Sequence, residues 1–493
     1  MQNIDYERLI YRRQYVIGRL IPLCPFSHKI QLLSKEYSLF YHIDLVFTRV
    51  TDNKNTLILL GDIYDYKNPK NSNKDILNQL IGSDFDALLK WTSEMAGRFV
   101  LIYHNEKNIR ILHDASACRK IFYTVKDGNI CCASTQHLLA RVSGYQKTSN
   151  KSLLDYYQSP EFKSNFNSNI GYLTYYDEIK QVLPNHYLNI DPFEIVRYWP
   201  NKQLASISLE ECVSRSVEMI KGFVMAAYSR YPLMVPITSG YDSRIILAAL
   251  KEIKDKIFFY LNSSEDTIDS ADSRVSSAML GRFNVKMNLL NIDKSVDDRF
   301  RDIYFQNNPL ATHEFLPIIY NYYKNFPEKL NLPGGTIPII KALYHFSAKE
   351  ITPDLLAKSY HLDKFEIAHD FYKDWFNKTK DVAKRYNYNI YDLLYWEDRT
   401  CNWGTQTQLD KDIAQEEFVP FNSRELISTM LAYDKKYRQK PYFKLNKEII
   451  RRLWPSLLEF PFNPSFKKSI KEMLISLKLY KPYMKFKKLF SNK

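Results

Sequence analysis

A chain of 493 residues is long enough for two or three domains with a sizeable core, and its 45% hydrophobic and 25% charged residues are ordinary for a globular protein. No apolar run is long enough to span a bilayer, and residues 1–7 lack the charged and apolar regions of a signal peptide. The six cysteines show no metal-ligand spacing. We therefore expect reduced cysteines and a cytoplasmic protein.

The net charge of +14 is unevenly distributed, because residues 465–493 hold nine lysines and one acid. This tail also contains many apolar residues. Two interpretations stay open: a solvated terminal helix that packs on the rest of the protein, and a basic helix that makes weak contact with an anionic membrane surface. The sequence shows no RNA- or DNA-binding motif, so we expect no nucleic-acid partner.

The first half of the chain has the texture of an antiparallel β protein. Short β-branched or aromatic segments bounded by turn residues predict strands over residues 41–47, 56–62, 97–105, 109–114, 120–125 and 130–135. A helix is predicted over residues 83–91. Asp127-Gly128-Asn129 predicts a hairpin turn between the last two strands. The polar residues 159–169 predict a surface loop.

Four segments of this half resemble the glutaminase (class II amidotransferase) domain of asparagine synthetases. They are Gly97-Arg98-Phe99, Asp114, Ile121-Phe122-Tyr123 and Ala133-Ser134-Thr135. The resemblance implies an Ntn-type antiparallel β-sandwich flanked by helices. That family uses a cysteine that becomes N-terminal when the initiator Met is removed, as nucleophile towards glutamine.

Here the second residue is Gln2. Cys24 would become N-terminal only if the chain were cut after Leu23, and nothing around it looks like a processing site. We therefore expect the glutaminase fold without glutaminase activity.

Residues 197–200, Arg-Tyr-Trp-Pro, stand where the family's glutaminase domain closes, which places a domain boundary near Asn201. Beyond it, helical and strand-like segments alternate: helix 210–228, strand 256–261, helix 270–281 and strand 285–290. This alternation predicts a parallel α/β sheet, followed from residue 302 by a helical lobe. The predicted domains are 1–200, 201–464 and a basic tail, 465–493.

Residues 233–244 read as a strand, a tight loop and a helix. The loop, Thr238-Ser239-Gly240-Tyr241-Asp242-Ser243, matches neither the Walker nor the dinucleotide pattern. It resembles the S-G-G-x-D-S pyrophosphate loop of ATP pyrophosphatases, with Ser239 in place of the first Gly. The alternative is an ordinary helix cap with a glycine turn, because either structure presents backbone N–H groups at a helix N-terminus.

Two further segments resemble asparagine synthetase. Residues 416–424 are similar to the phrase that ends P-F-L-D, and residues 447–451, which begin 27 residues after Pro420, are similar to K-x-x-L-R. The resemblance implies bound ATP and Mg²⁺, with Asp242 as metal ligand and catalytic residue and Lys447 as the catalytic positive charge. The nucleotide-binding residues that it implies are Ile237, Thr238, Ser239, Gly240, Tyr241, Ser243, Tyr260 and Gly334, with backbone near Ile237 and Tyr260 holding adenine.

The family also carries an acidic S-G-x-G-x-D-E phrase, and here Pro338 and Ile339 stand where its acids belong. The first function hypothesis is an ATP-dependent ligase that adenylates a small-molecule, peptide or sugar carboxylate and transfers ammonia or a substrate amine. The alternative is a catalytically impaired homologue that acts as a binding or regulatory protein. A third hypothesis, an ATP pyrophosphatase acting on nucleic acid, rests on net charge alone.

Overall fold

The computed structural model describes residues 5–19, 21, 23–32, 36–106, 108–263, 270–335, 337–341 and 351–464, so the basic tail lies outside it. The strands are β1 (Tyr15–Gly18), β2 (His28–Gln31), β3 (Ser38–Tyr41), β4 (Phe47–Thr51), β5 (Asn55–Tyr64), β6 (Ala96–Asn105), β7 (Ile109–His113), β8 (Phe122–Lys126), β9 (Asn129–Ala133), β10 (Lys180–Gln181), β11 (His186–Asn189), β12 (Glu194–Arg197), β13 (Leu233–Pro236), β14 (Phe258–Ser263), β15 (Asn288–Asn291) and β16 (Leu330–Asn331).

The helices are α1 (Asn73–Leu80), α2 (Phe85–Glu94), α3 (Gln136–Ser143), α4 (Lys151–Gln158), α5 (Pro160–Ser164), α6 (Leu209–Arg230), α7 (Tyr241–Ala249), α8 (Ala271–Arg282), α9 (Asp298–Asn307), α10 (Leu316–Asn325), α11 (Pro353–Ser359), α12 (Glu366–Arg385), α13 (Ile390–Leu394), α14 (Gln406–Lys411), α15 (Arg424–Leu431), α16 (Lys435–Arg438) and α17 (Lys444–Leu453). A π-helix, Tyr395–Gly404, lies between α13 and α14. Within the described ranges, no helix is both long enough and apolar enough to cross a bilayer.

Two six-stranded antiparallel sheets make up the first half, as predicted. Their strand orders are β10-β8-β9-β1-β3-β2 and β12-β11-β7-β6-β5-β4. Buried residues of both sheets, such as Ile17 and Ile102, share one hydrophobic core, so the sheets face each other. Helices α1 and α2 cover the outer face of one sheet, and α3 covers the outer face of the other. The predicted hairpin turn is confirmed: Asp127 and Gly128 have φ of 49° and 73°, typical of a tight turn between antiparallel strands.

The second half contains the predicted parallel sheet, with strand order β15-β14-β13-β16. The chain leaves β13 towards β14 on one side and returns to β16 on the other side. The carboxyl end of β13 is therefore a point where the strand order reverses, and such points form crevices in open α/β sheets. Helices α9 to α17 supply the predicted helical lobe.

Two local predictions from the first half are wrong. Residues 41–47 are not one strand, because β3 ends at Tyr41 in one sheet and β4 begins at Phe47 in the other. The corner between them is held by Asp44, whose carboxylate accepts hydrogen bonds from Arg12 at 2.7 Å and from Arg8 at 3.0 Å. Residues 159–169 are not simply a surface loop, because they contain α5 and the buried side chain of Phe162.

The antiparallel strands end at Arg197 and α6 begins at Leu209, so the predicted boundary near Asn201 falls between them. The division into residues 1–200, 201–464 and 465–493 stays a prediction. The two halves are in close contact. One contact is a buried ion-pair network in which Arg98 of β6 donates to Asp412 at 2.6 and 2.9 Å and to Glu416 at 2.8 Å.

Further guanidinium groups reach the same acids. Arg119 donates to both Glu416 oxygens at 2.9 and 3.0 Å, and Arg13 lies 3.8 Å from that carboxylate. Burial raises the pKa of the Glu416 carboxyl, but Arg119, Arg98 and Arg13 outweigh this effect and lower that pKa to about 2. The Glu416 carboxylate is therefore charged and fully engaged at the contact between the two halves.

The π-helix forms a second contact between the halves. Arg197 donates to the two oxygens of Glu397 at 2.6 and 2.7 Å, and Glu397 itself is 0% exposed. The backbone N–H of Gly171 donates to Asp398 at 2.8 Å. Both carboxylates of this helix thus accept hydrogen bonds from the first half, alongside bonds from Trp375 and Tyr372 of the second half.

Helix α6 packs so closely on the first half that a side chain does not fit at Gly222. A Cβ there would lie 2.3 Å from the carbonyl oxygen of Tyr66. We expect Gly222→Ala to lower the free energy of unfolding by about 1–3 kcal/mol, the usual cost of overpacking. Thermal unfolding followed by circular dichroism measures this change.

Gly281→Ala is the matched control for that substitution. Gly281 lies in α8 with nothing within 4 Å of a built Cβ. Ala is a better helix former than Gly, so this variant should gain up to about 1 kcal/mol. Equal effects of the two substitutions would contradict the proposed close approach of α6 to Tyr66.

Candidate functional site

The segment after β13 is the strand, loop and helix that the sequence predicts. Strand β13 ends at Pro236, α7 begins at Tyr241, and the residues between them form a turn held by hydroxyl groups. The N–H of Thr238 donates to Oγ of Ser243 at 3.1 Å, and the N–H of Gly240 donates to Oγ1 of Thr238 at 3.2 Å. These short-range bonds explain why a Thr-Ser-Gly-x-x-Ser sequence folds into a compact loop at this point.

A cavity of about 380 Å³ opens beside this loop, at the carboxyl end of β13. It brings together four of the predicted residues: Thr238, Asp242, Ser243 and Gly334. The other residues around it, most of which were not predicted, are Phe166, Pro236, Phe315, Pro333, Gly335, Pro338, Trp403, Gly404 and Thr407. The mostly apolar wall with a few polar groups is typical of small-molecule sites.

Asp242 is the acidic residue of this cavity, and it is already paired. Its Oδ2 lies 2.6 Å from Nζ of Lys341, while its Oδ1 is buried without a hydrogen-bond partner. Burial raises the pKa of the Asp242 carboxyl, and Lys341 opposes that shift. Gly334 packs against Asp242 so closely that a Cβ at position 334 would lie 2.7 Å from the Asp242 Cβ.

Ser239 does not line the cavity, and its predicted role in holding phosphate stays a prediction. It is 1% exposed, and its N–H donates to the carboxylate of Asp272 at 2.8 Å. Its hydroxyl donates to the same oxygen. A carboxylate from α8 therefore takes the anion-binding position that the sequence suggested for pyrophosphate.

The groups near Ile237 and Tyr260 that were predicted to hold adenine have partners within the protein, and their role stays a prediction. The N–H of Ile237 donates to the carbonyl oxygen of Tyr260 at 2.9 Å, and the carbonyl oxygen of Ile237 accepts from Ser276 at 3.2 Å. The Tyr260 hydroxyl donates to Asn331 at 3.0 Å in the core. These backbone groups extend the sheet, so they are engaged away from the cavity.

Tyr241 and Gly240 are covered by the last residues that the structure describes. The Tyr241 ring stacks on Phe462 with centroids 4.0 Å apart and contacts Phe443 at 4.8 Å. The N–H of Asn463 donates to the carbonyl oxygen of Ser239 at 3.3 Å. Tyr241 therefore anchors the loop in a hydrophobic cluster and does not line the cavity.

Arg244 joins the loop to the same C-terminal segment, residues 457–463. It is 0% exposed, and its guanidinium donates to four carbonyl oxygens, those of Ser239, Leu457, Phe460 and Pro461, at 2.8 to 3.1 Å. The guanidinium carbon lies 3.8 Å from the centre of the Phe462 ring. We call this arrangement of Arg244 with residues 457–463 the loop clasp.

Lys447 is half-buried on α17, a helix that packs against α7. It does not line the cavity. Within the described part of the chain its side chain forms no hydrogen bond or ion pair. Its catalytic role stays a prediction.

The residues at this site do not fit a bound Mg²⁺ ion. Mg²⁺ prefers octahedral oxygen coordination, with carboxylates as the protein ligands. The cavity offers Asp242, which holds Lys341 instead, and Pro338 lies where the family has an acid; Ile339 is buried. Among the described residues, no three His, Cys, Asp or Glu side chains cluster closely enough to hold a metal ion.

Sequence reasoning missed Lys341, Asp272 and the aromatic wall. Phe166 stacks on Phe315 with centroids 5.6 Å apart and lies 5.9 Å from the ring of Trp403. Lys341 comes shortly after Pro338 and Ile339, which stand in place of two acids. The loss of those acids was the feature of the sequence that pointed to a changed charge at this position. The aromatic residues come from three distant parts of the chain, and nothing in their local sequence links them.

Neither a protein-family model nor a curated protein matches this chain. One solved structure, glutamine phosphoribosylpyrophosphate (PRPP) amidotransferase from B. subtilis complexed with ADP and GMP, is similar at 12% identity and a TM-score of 0.24, over 60% of this chain and 66% of that one. Another, described as the allosteric regulatory enzyme of purine biosynthesis, has 12% identity and a TM-score of 0.25, over 62% and 74%. Likenesses at such TM-scores do not establish a shared fold.

Proposed function

We propose that the cavity beside Asp242 binds ATP and that the protein is an ATP-dependent, amide-forming ligase similar to asparagine synthetase. The observation that carries this proposal is the position of the loop. Residues 237–240 lie at the point of the parallel sheet where strand order reverses, and Thr238, Asp242 and Ser243 line a cavity there. Such crevices at the carboxyl ends of parallel strands are where open α/β sheets bind ligands.

The reaction has two balanced steps. A substrate carboxylate oxygen attacks the α-phosphorus of ATP, and pyrophosphate leaves. An amine then attacks the acyl carbon of the adenylate, loses a proton, and displaces AMP to form the amide. Both transition states place negative charge on phosphate oxygens, so positive groups and backbone N–H donors lower the barrier.

The chain offers positive groups for that charge. The Lys341 ammonium contacts Asp242, which lines the cavity, and Asp242 and Ser243 of the first turn of α7 bring the partial positive charge of that helix N-terminus to the same cavity. Lys447 is proposed as a further positive group for the leaving pyrophosphate. The Phe166, Phe315 and Trp403 rings supply a flat apolar wall for the adenine base, in place of the backbone groups of Ile237 and Tyr260.

The first half of the chain is proposed to be an Ntn-type, glutaminase-like fold without glutaminase activity. The amine donor is then ammonia or a substrate amine, and the acid is a small-molecule, peptide or sugar carboxylate. A cytoplasmic location and the absence of a nucleic-acid partner remain part of the same proposal.

A second candidate is a catalytically impaired homologue that binds a ligand or partner. Two observations favour it. Asp272 fills the anion position at Ser239, and Lys341 is paired with Asp242. An active ligase has to displace or reuse these internal contacts when ATP binds.

Pyrophosphate exchange into ATP tests the ligase proposal. With a panel of carboxylates, the wild type should exchange labelled pyrophosphate, and Asp242→Ala should lower that rate at least about 100-fold, because the Lys341 ammonium that stabilises the developing charge loses the carboxylate that holds it in place. Asp255→Ala is the control, because Asp255 is exposed and pairs only with its neighbour Lys254 among the described residues. Added glutamine should give no glutamate.

The outcomes separate the two candidates. ATP binding without exchange, for every carboxylate supplied, supports the impaired homologue. Absence of both ATP binding and exchange contradicts the ligase. Glutamate production from glutamine contradicts the proposed loss of glutaminase activity.

A further inference from the structure

The ion pair between Asp242 and Lys341 joins two segments that lie far apart in the sequence. Lys341 ends the 3₁₀ turn Ile337–Lys341, and its side chain is 16% exposed. Its Nζ lies 2.6 Å from Oδ2 of Asp242. A positive charge therefore lies in direct contact with the carboxylate that would otherwise be the metal ligand.

The other oxygen atoms near Asp242 are committed to the loop itself. Oγ1 of Thr238 and Oγ of Ser243 lie 3.0 Å apart and share a hydrogen bond. Oγ of Ser243 also accepts from the N–H of Thr238, and Oγ1 of Thr238 accepts from the N–H of Gly240. These bonds use lone pairs of both hydroxyl oxygens, so a divalent cation would compete with them for hydroxyl ligands.

Among the described residues, the cavity lining also includes Pro333, Gly334, Gly335 and Pro338, whose side chains carry no oxygen. Mg²⁺ binds in proteins through one or two carboxylates in near-ideal octahedral geometry, together with water and phosphate oxygens. A second cation at Asp242 would also meet the Lys341 ammonium at contact distance, where like charges repel strongly in a partly buried site.

We infer that Lys341 stands in for a divalent cation at Asp242, so that the site binds its phosphate ligand without a bound metal. The ligand class, a nucleoside triphosphate, rests on the proposed function. The absence of a metal requirement rests on the Asp242–Lys341 contact alone. The ammonium has three N–H donors, and the contact with Oδ2 uses one of them.

A titration with Mn²⁺ alone, followed by electron paramagnetic resonance, tests the metal statement whether or not ATP binds. Wild type and Asp242→Asn should take up the same number of Mn²⁺ ions. Lys341→Met frees Oδ2 of Asp242 and should gain one Mn²⁺ site that is lost again in Lys341→Met/Asp242→Asn. A Mn²⁺ site that the wild type has and Asp242→Asn lacks would overturn the inference.

Equilibrium dialysis with labelled ATP, in Mg²⁺ and in EDTA, tests the phosphate ligand. The wild-type Kd should differ by less than about threefold between the two conditions, whereas Lys341→Met should bind at least about tenfold more weakly in EDTA and recover part of that loss in Mg²⁺. Lys373→Met, at an exposed position of α12, is the control and should match the wild type.

These arms distinguish the two proposals. A wild type that needs Mg²⁺ to bind ATP overturns the inference and leaves the ligase standing. No ATP binding by any variant ends the proposed function, while the Mn²⁺ comparison of wild type with Asp242→Asn still decides the metal statement. That comparison does not depend on whether Lys341→Met folds.

Discussion

Arg98→Met should lower the free energy of unfolding by about 3–5 kcal/mol, because it breaks a buried ion pair and leaves a carboxylate uncompensated. Arg98 is 3% exposed and Asp412 is 4% exposed, and two hydrogen bonds join them. Glu416 keeps Arg119 after the substitution, but Asp412 loses both hydrogen bonds from a guanidinium. Met has the length to fill the space of the Arg98 stem, so the loss reports mainly on charge.

Urea unfolding followed by tryptophan fluorescence measures this loss, with the wild type and variant compared at equal slope. Arg452→Ala is the control, because Arg452 pairs with Glu210 at the surface, where the side chains are 45% and 73% exposed. An exposed pair contributes little to stability, so Arg452→Ala should unfold close to the wild type. A loss below about 1 kcal/mol for Arg98→Met would contradict the buried network.

Arg244→Lys should open the loop clasp and cost about 2–4 kcal/mol, since hydrogen bonds from a charged group contribute more than neutral ones. The guanidinium donates to four carbonyl oxygens, and lysine cannot reproduce that planar fork. Burial lowers the pKa of Arg244 to about 10, a value at which it is still protonated at neutral pH. Because Ser239 is one of the four acceptors, the loop itself should become less ordered.

Hydrogen exchange shows where the clasp opens. Peptides that cover residues 455–464 should exchange faster in Arg244→Lys, and the amide of Asn463, which donates to Ser239, should lose protection. Arg282→Lys, at the exposed end of α8, should leave both unchanged. If exchange in residues 455–464 is the same in Arg244→Lys as in the wild type, the clasp does not hold this segment.

Local patterns in the sequence predict most of the elements around the site. The hairpin at Asp127-Gly128, the parallel strands and the loop before α7 depend on turn chemistry and short-range periodicity, which a single sequence contains. The break at residues 41–47 was missed because β-branched and aromatic residues continue through the corner. What turns the chain there is the pairing of Asp44 with Arg8 and Arg12.

Contacts between distant residues account for the part of the site that the sequence does not predict. Lys341 meets Asp242 across 99 positions, and Asp272 meets Ser239 across 33. Each pairing changes which ligands the loop can bind, but no local sequence pattern predicts either of them. Arg98 is a further example. The Gly97-Arg98-Phe99 segment carries the resemblance to a glutaminase domain, but the Arg98 side chain binds acids of the second half, which the local sequence does not predict.

The π-helix has a consequence for how the two halves of this protein can evolve. Glu397 is fully buried and takes its compensating charge from Arg197, which belongs to the first half. Asp398 accepts from the backbone N–H of Gly171 and from Tyr372 and Asn402 of the second half, so it adds no charge requirement on the first half. Mutational drift in the first half is therefore constrained by charges of the second, whatever chemistry the first half performs. A lineage can lose the activity of such a domain and still be unable to discard the domain itself.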